Sequence, residues 1–84
     1  MIQLVKGMVV RSKQGHDKGS FFVVADVLGD AVLLTDGASR ALEAPKKKNP
    51  IHLAPTKTVL TPDEMTNSEI RSTLAQFNSR VRTS

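Results

Sequence analysis

Short apolar runs separated by polar, glycine-containing turns fill the first sixty residues of the chain. The first three runs are rich in valine, leucine and phenylalanine, which predicts β-strands over residues 8–12, 21–27 and 31–35. Successive side chains of a strand point to opposite faces of its sheet. Both faces of the second run are apolar, so we expect that strand to contact the core on both sides.

Tight turns and two further short strands follow these runs. Gly29 stands where a type II′ hairpin turn needs glycine, and Asp36-Gly37 is the signal for a type I′ turn. Residues 39–43 and 51–54 are predicted as short strands, joined by a loop over residues 45–50 that a proline bounds at each end. Residues 2–4 are predicted as a weak strand or an arm along the domain. This pattern is typical of a small barrel or sandwich.

The pattern changes at Thr61, where helical spacing replaces strand alternation. Thr61-Pro62 with Glu64 is typical of a helix start, and a second start is available just before Ser68. An apolar stripe then recurs at helical spacing, at Ile70, Leu74, Phe77 and Val81. We therefore predict an amphipathic helix from about 68 to 80, or from nearer Pro62, and divide the chain at residues 1–60 and 61–84. The stripe either packs on the β-domain or docks into a partner.

Composition narrows the function classes. The chain has 84 residues, a net charge of +4 and no cysteine, so a single small domain without disulfides is expected. Residues 1–60 hold nine Lys or Arg against five Asp or Glu, which accounts for the whole excess of four. A polyanionic partner is therefore expected, with nucleic acid first and an anionic membrane second. No signal peptide or long apolar stretch is evident, which favours a soluble cytoplasmic protein.

The turn between the first two strands carries a family resemblance. It is basic and polar, and glycines at Gly15 and Gly19 allow its backbone to approach a partner closely. The segment GMVVRSKQGHDKGSFFVV resembles the KOW motif of ribosomal and transcription proteins. The matching residues are Gly7, Val9, Val10, Gly15, Lys18, Gly19, Val23 and Val24.

A wider resemblance covers residues 7–56, through VVADV, VLLTDG, Arg40 and IHLAPT. This stretch resembles the ribosomal family known as L-fourteen-e, with its L-six-e and L-twenty-seven-e relatives. The resemblance implies a mainly β fold, an SH3-like β-barrel of the KOW type, which binds ribosomal RNA. It also implies that Lys13, His16 and Lys18 face RNA. The chain is shorter than those ribosomal proteins and residues 61–84 do not match them, which favours a small bacterial-type KOW RNA-binding protein.

A second basic feature is the lysine run at residues 46–48, between Pro45 and Pro50. Adjacent cations repel one another, and we expect no nearby acid apart from Glu43 to relieve them. A phosphate backbone would relieve that repulsion; a solvated basic loop is the alternative. The predicted RNA-binding residues are Arg11, Lys13, His16, Lys18, Arg40, Lys46, Lys47 and Lys48.

The rest of the side-chain chemistry limits what kind of site this is. The chain has three phenylalanines and neither tryptophan nor tyrosine, so it has little to stack on single-stranded bases. We expect it to contact phosphates of structured RNA with weak sequence preference. His16 and His52 are far apart and no nucleotide fingerprint is present, so we predict no metal, no cofactor and no enzyme activity.

These observations predict a non-enzymatic RNA-binding protein of the translation machinery, with ribosomal RNA as the first candidate partner. The main alternative is an SH3-like protein-interaction adaptor that docks through its C-terminal helix. A peripheral membrane protein is less favoured, because the basic residues lie on turns rather than along the helix. A basic surface that only keeps the protein in solution is the remaining interpretation.

Overall fold

The structure is a computed structural model, and it describes the backbone of residues 3–82 and the side chains of residues 3–78. Its main element is a five-stranded antiparallel sheet with the strand order β4-β3-β2-β1-β5. A C-terminal helix follows the last strand. The elements are β1 (Met8–Ser12), β2 (Phe21–Leu28), β3 (Ala31–Thr35), β4 (Lys46–Lys48), β5 (Leu53–Val59) and α1 (Asn67–Arg82), with single 3-10 turns at Pro50–His52 and Pro62–Glu64.

The predicted mainly β class and the C-terminal helix are confirmed. The sheet is open, however, because β4 and β5 are its two edges and it does not close into a barrel. The first three strands lie where the apolar runs predict them. The hairpin at Gly29 is also confirmed, since Leu28 pairs with Ala31 and Gly29 has a φ of 54°. Within the described helices, no segment has the length and apolarity that crossing a membrane would require.

Both faces of the sheet are buried, as the alternation in β2 predicts. One face carries the first core cluster, Met8, Val10, Phe22, Val24, Val32, Leu34 and Leu53, against which Leu4 also packs. The opposite face carries the second core cluster, Val9, Phe21, Val23, Leu60, Ile70 and Leu74. Leu4 fits the predicted N-terminal arm, whose Ile2 lies outside the described residues. The helix therefore covers the second face of the sheet.

The predicted type I′ turn at Asp36-Gly37 and the strand over 39–43 are both wrong. A type I′ turn needs two residues with positive φ, but of these two only Gly37 has one, at 75°. The Asp36 carboxylate instead accepts hydrogen bonds from the backbone N–H groups of Ala38 and Arg40, both at 2.8 Å. The Arg71 guanidinium donates to the Gly37 carbonyl at 2.7 Å. Side-chain hydrogen bonds thus hold this segment as a loop against the helix.

The predicted loop over residues 45–50 is also wrong in its centre. Lys46–Lys48 forms the edge strand β4, in which Lys46 pairs with Leu34 and Lys48 with Val32. Lysine has a low intrinsic preference for strands, but it is common on edge strands because its charge discourages pairing with other chains. The last strand was predicted over 51–54; it begins at Leu53 and extends to Val59.

Gly37 is a position where the fold requires glycine. A Cβ there would collide with the carbonyl oxygen of Asn67 and lie 3.0 Å from Cγ of Arg71. Gly29 is a matched control, because its φ is also positive but no atom lies within 4 Å of its Cβ position.

We expect Gly29→Ala to lower the free energy of unfolding by about 1 kcal/mol, from backbone strain alone. Gly37→Ala should lower it by about 3 kcal/mol, because a steric clash adds to the same strain. Urea denaturation of both variants measures the difference. Equal losses would show that the contact between Gly37 and α1 does not constrain the fold.

Candidate nucleic-acid interface

The β1–β2 turn, residues 13–20, is closed by backbone hydrogen bonds at its base. The Gly19 N–H donates to the Ser12 carbonyl at 2.8 Å, and the Ser12 N–H donates to the Ser20 carbonyl at 2.9 Å. Gly15 and Gly19 have φ values of 90° and 91°, in the region that favours glycine. The two glycines thus shape the turn, which projects from the end of β1 and the start of β2.

Asp17, in the middle of this turn, binds both flanking lysines of β4. Its carboxylate oxygens lie 2.8 Å from the Lys46 ammonium nitrogen and 3.0 Å from that of Lys48. The Ser12 hydroxyl donates to the same carboxylate at 2.8 Å. The sequence-based expectation that only Glu43 lies near the lysine run is therefore wrong. Two of the three lysines thus share one internal carboxylate, which offsets one of their two positive charges.

The environment of Asp17 lowers its pKa. Partial burial acts in the opposite direction and is the largest single effect, but hydrogen bonds from Lys46, Lys48 and Ser12 together outweigh it. These donors favour the ionised carboxylate. Asp17 therefore remains a carboxylate well below the pH at which an unfolded chain would protonate it.

Lys48 is the most firmly held of the three lysines. Its ammonium group also donates to the Gln14 carbonyl at 3.1 Å and to the Ser12 hydroxyl at 3.2 Å. Its side chain is only 12 % exposed. Lys47 is exposed and alternates to the opposite face of β4, beside Asp30 and Asn49. Lys48 therefore serves mainly to hold the turn, whereas Lys47 is accessible to a partner.

The other predicted cations are exposed, at the end of β1, in the β1–β2 turn, in the loop after β3 and on β4. The Arg11 guanidinium lies beside Gly19, 3.8 Å from where a Cβ at that glycine would lie. The Lys13 N–H donates to the His52 carbonyl at 2.8 Å, which places Lys13 on the side of β5. Among the described residues, both ion pairs go to Asp17, so these cations have no acidic partner there. The exposed cations of this group are Arg11, Lys13, Lys18, Arg40 and Lys47.

Three predicted residues from separate parts of the sequence line one cleft. His16 comes from the β1–β2 turn, Arg40 from the loop after β3, and Lys46 from β4. Asp36 and Asn78 line the same cleft, which has a volume of about 440 Å³. We refer to it as the three-segment cleft. Asp17, Asp36 and Asn78 were not predicted as site residues.

The apolar stripe of α1 is occupied by the sheet. Ile70 is fully buried and Leu74 is 4 % exposed, both in the second core cluster. The Phe77 ring centroid lies 5.2 Å from that of Phe21. Val81, the last residue of the predicted stripe, has a side chain outside the described ones. The described part of the stripe is thus not available to a partner protein while the helix is docked.

No protein-family model and no curated protein matches the chain. Within residues 3–78, no three histidine, aspartate or glutamate side chains come together in a way that could hold a metal ion.

Asp17→Asn should lower the free energy of unfolding by about 1–3 kcal/mol at pH 7, because Lys46 and Lys48 lose their ionised partner. The folded carboxylate has the lower pKa, so the unfolded chain takes up a proton first as the pH falls. The stability that Asp17 contributes is therefore complete above the unfolded pKa of about 4 and is lost below it. The asparagine of the variant has no ionisable group, so it adds no pH dependence of its own.

Denaturation of both proteins between pH 2 and 7 measures this difference. We expect the two stability curves to converge below about pH 4. Asp30→Asn, which removes an exposed acid in the next hairpin, is the control and should change little. A gap between wild type and Asp17→Asn that stays constant down to pH 2 would contradict the ion pairs.

Proposed function

We propose that the chain is a non-enzymatic RNA-binding protein of the translation machinery, with ribosomal RNA as its first candidate partner. The observation that carries this proposal is that predicted basic residues from three segments, His16, Arg40 and Lys46, meet at one end of the sheet. The β1–β2 turn, the loop after β3 and β4 meet there. Cations that lie together can neutralise neighbouring phosphates of one RNA backbone, and each such contact releases a counterion.

We also propose that the fold is a KOW-type, SH3-like arrangement. A strongly paired β1–β2 hairpin with a glycine-bounded basic turn is what a KOW motif requires. Apolar residues on both faces of β2 are compatible with an SH3-like arrangement. Asp17 links β4 to the end of β1 through side chains, so the two regions lie close although no strand ladder joins them.

The lysines divide into two roles in this proposal. Lys46 and Lys48 hold the turn through Asp17, which fixes the direction in which the turn presents its own cations. Most phosphate contacts fall on the exposed group, Arg11, Lys13, Lys18, Arg40 and Lys47, and Lys46 keeps further donors beyond its bond to Asp17. A cation that is already exposed and unpaired loses no internal contact on binding, which favours these side chains.

The burial of the Phe21 and Phe22 rings bears on whether the ligand is single-stranded or structured RNA. Phe21 and Phe22 are 9 % and 5 % exposed, so neither ring offers a platform for successive bases. Proteins that bind single strands usually need such platforms. Contacts to phosphates position a protein on a folded RNA without an exposed aromatic surface. Structured RNA is therefore the better ligand.

We expect Lys13→Gln/Lys18→Gln to weaken binding to folded bacterial ribosomal RNA. Each lost phosphate contact should make the log–log salt slope shallower by about 0.7–0.9. Lys6→Gln/Lys57→Gln is the matched control, because it removes the same charge from exposed lysines at the other end of the sheet. Filter binding between 50 and 300 mM salt measures both slopes. Equal losses in the two double variants would contradict a localised interface.

Lys47 and Lys48 offer a second, internal comparison on one strand. Lys47→Gln should leave the free energy of unfolding within about 0.5 kcal/mol of the parent, since it is a surface substitution, and should weaken RNA binding. Lys48→Gln should lower the free energy of unfolding by about 1–3 kcal/mol, because it removes hydrogen bonds to a partly buried carboxylate. Thermal denaturation and the same binding assay separate the two roles. Indistinguishable behaviour of the two variants would contradict the division.

A further inference from the structure

The three-segment cleft is larger than a single phosphate contact needs. A water molecule occupies about 30 Å³ in the liquid, so a volume of about 440 Å³ holds far more than one phosphate group. Sites for small organic ligands typically have volumes of about 300–1,000 Å³. A cation on a flat surface would suffice to contact the backbone of a duplex. The concave shape therefore leaves room for a ligand larger than one phosphate.

The cationic lining of the cleft is held in place by the backbone around it. The Arg40 N–H donates to the Asp36 carboxylate, and the Arg40 carbonyl accepts from the Thr35 hydroxyl at 2.6 Å. The Arg40 guanidinium itself is exposed and has no hydrogen bond to the described residues. Lys46 uses one donor on Asp17, and an ammonium group has three. Both side chains thus keep donors for an anion.

The two acids of the cleft are already engaged. Both Asp17 oxygens accept hydrogen bonds from Ser12 or the β4 lysines. Both Asp36 oxygens accept from the 38–40 segment. These carboxylates therefore act as supports for the cations around them, and Arg40, Lys46 and His16 keep free donors.

The cleft also carries groups that a phosphate does not need. The Asn78 side chain is exposed on α1 and makes no hydrogen bond to the described residues. Its amide offers a donor and an acceptor side by side, the combination that suits the edge of a nucleobase. His16 and Arg40 supply planar groups, and bases unstacked from RNA commonly stack on such groups. Phosphate donors, planar groups and an amide thus line one space.

We infer that the three-segment cleft receives one unpaired nucleotide of the RNA. In this arrangement Arg40 and Lys46 bind its phosphate, and His16 and Asn78 contact its base. The inference rests on the proposed RNA-binding function and deepens it. It changes the expected specificity, because base contact at one position adds a preference for an unpaired residue to a surface that otherwise contacts phosphates.

The test uses the full chain and RNA hairpins that share one stem. One hairpin is fully paired, four carry a single unpaired nucleotide in the stem, one for each base, and one carries an abasic residue at that position. We expect at least one of the four to bind about fivefold or more tightly than the abasic and paired hairpins, which is a modest difference for one base contact. His16→Ala and, separately, Asn78→Ala should bring that ratio close to one, because these two side chains contact the base.

The variant Lys13→Gln/Lys18→Gln is the matched control, because it lies outside the cleft. It should weaken all hairpins by the same factor and leave the ratio unchanged. Circular dichroism establishes that each variant is folded. Equal binding of the abasic hairpin and all four unpaired hairpins would overturn the nucleotide site and leave phosphate binding intact. If none of the hairpins binds in a salt-dependent way, the RNA-binding function is overturned as well.

Discussion

The carboxylate of Asp17 joins the β1–β2 turn to the edge strand β4, and the geometry of the basic surface depends on that contact. Without it, the eight residues of the polar turn would be held only by backbone hydrogen bonds and by the bonds from Ser12 and Lys48 to the Gln14 carbonyl. With it, Lys46 and Lys48 fix the middle of the turn from the opposite side of the sheet. The ion pairs are partly buried, so solvent screens them less than surface pairs. An acid within a basic region thus organises the cations around it.

The sheet and the helix place this surface at one end of a small core. Val9 and Val23 belong to the second core cluster, on the face that the helix covers. Their neighbours Val10 and Val24 belong to the first core cluster, on the opposite face. A chain of 84 residues buries a limited share of its surface, and using both faces of one sheet increases that share. Loops at the end of β1 can then carry charge because the strands already hold the fold. Leu60 and α1 belong to the same packing unit as β1 and β2.

Local patterns predicted the parts of the structure that local physics decides. The alternation in β2, the glycine of the 29–30 hairpin and the helical stripe depend on neighbours in sequence, and each appears in the structure. The pairing of Asp17 with Lys46 joins residues 29 positions apart. No periodicity encodes such a contact, because it follows from the curl of the sheet and from β4 pairing with β3.

The errors around Asp36 and the lysine run have related causes. Asp36-Gly37 carries a hairpin signal, but the Asp36 side chain satisfies nearby N–H groups and offers the backbone a different turn. The lysine run is polar and lies between prolines, yet an open edge on β3 supplies partners for its backbone. The sequence does not indicate Asp17, Asp36 and Asn78 as site residues for a similar reason, since tertiary contacts bring them to the cations.

The open sheet has a consequence for self-association. A free strand edge can pair with a second copy of the chain and begin an aggregate. One edge here is β4, only three residues long and entirely lysine, and two copies of it would bring six ammonium groups together. The other edge, β5, includes Pro55, which has no N–H to donate to an incoming strand. The positive charge of β4 and the missing N–H of Pro55 in β5 both disfavour the addition of a second chain at these edges.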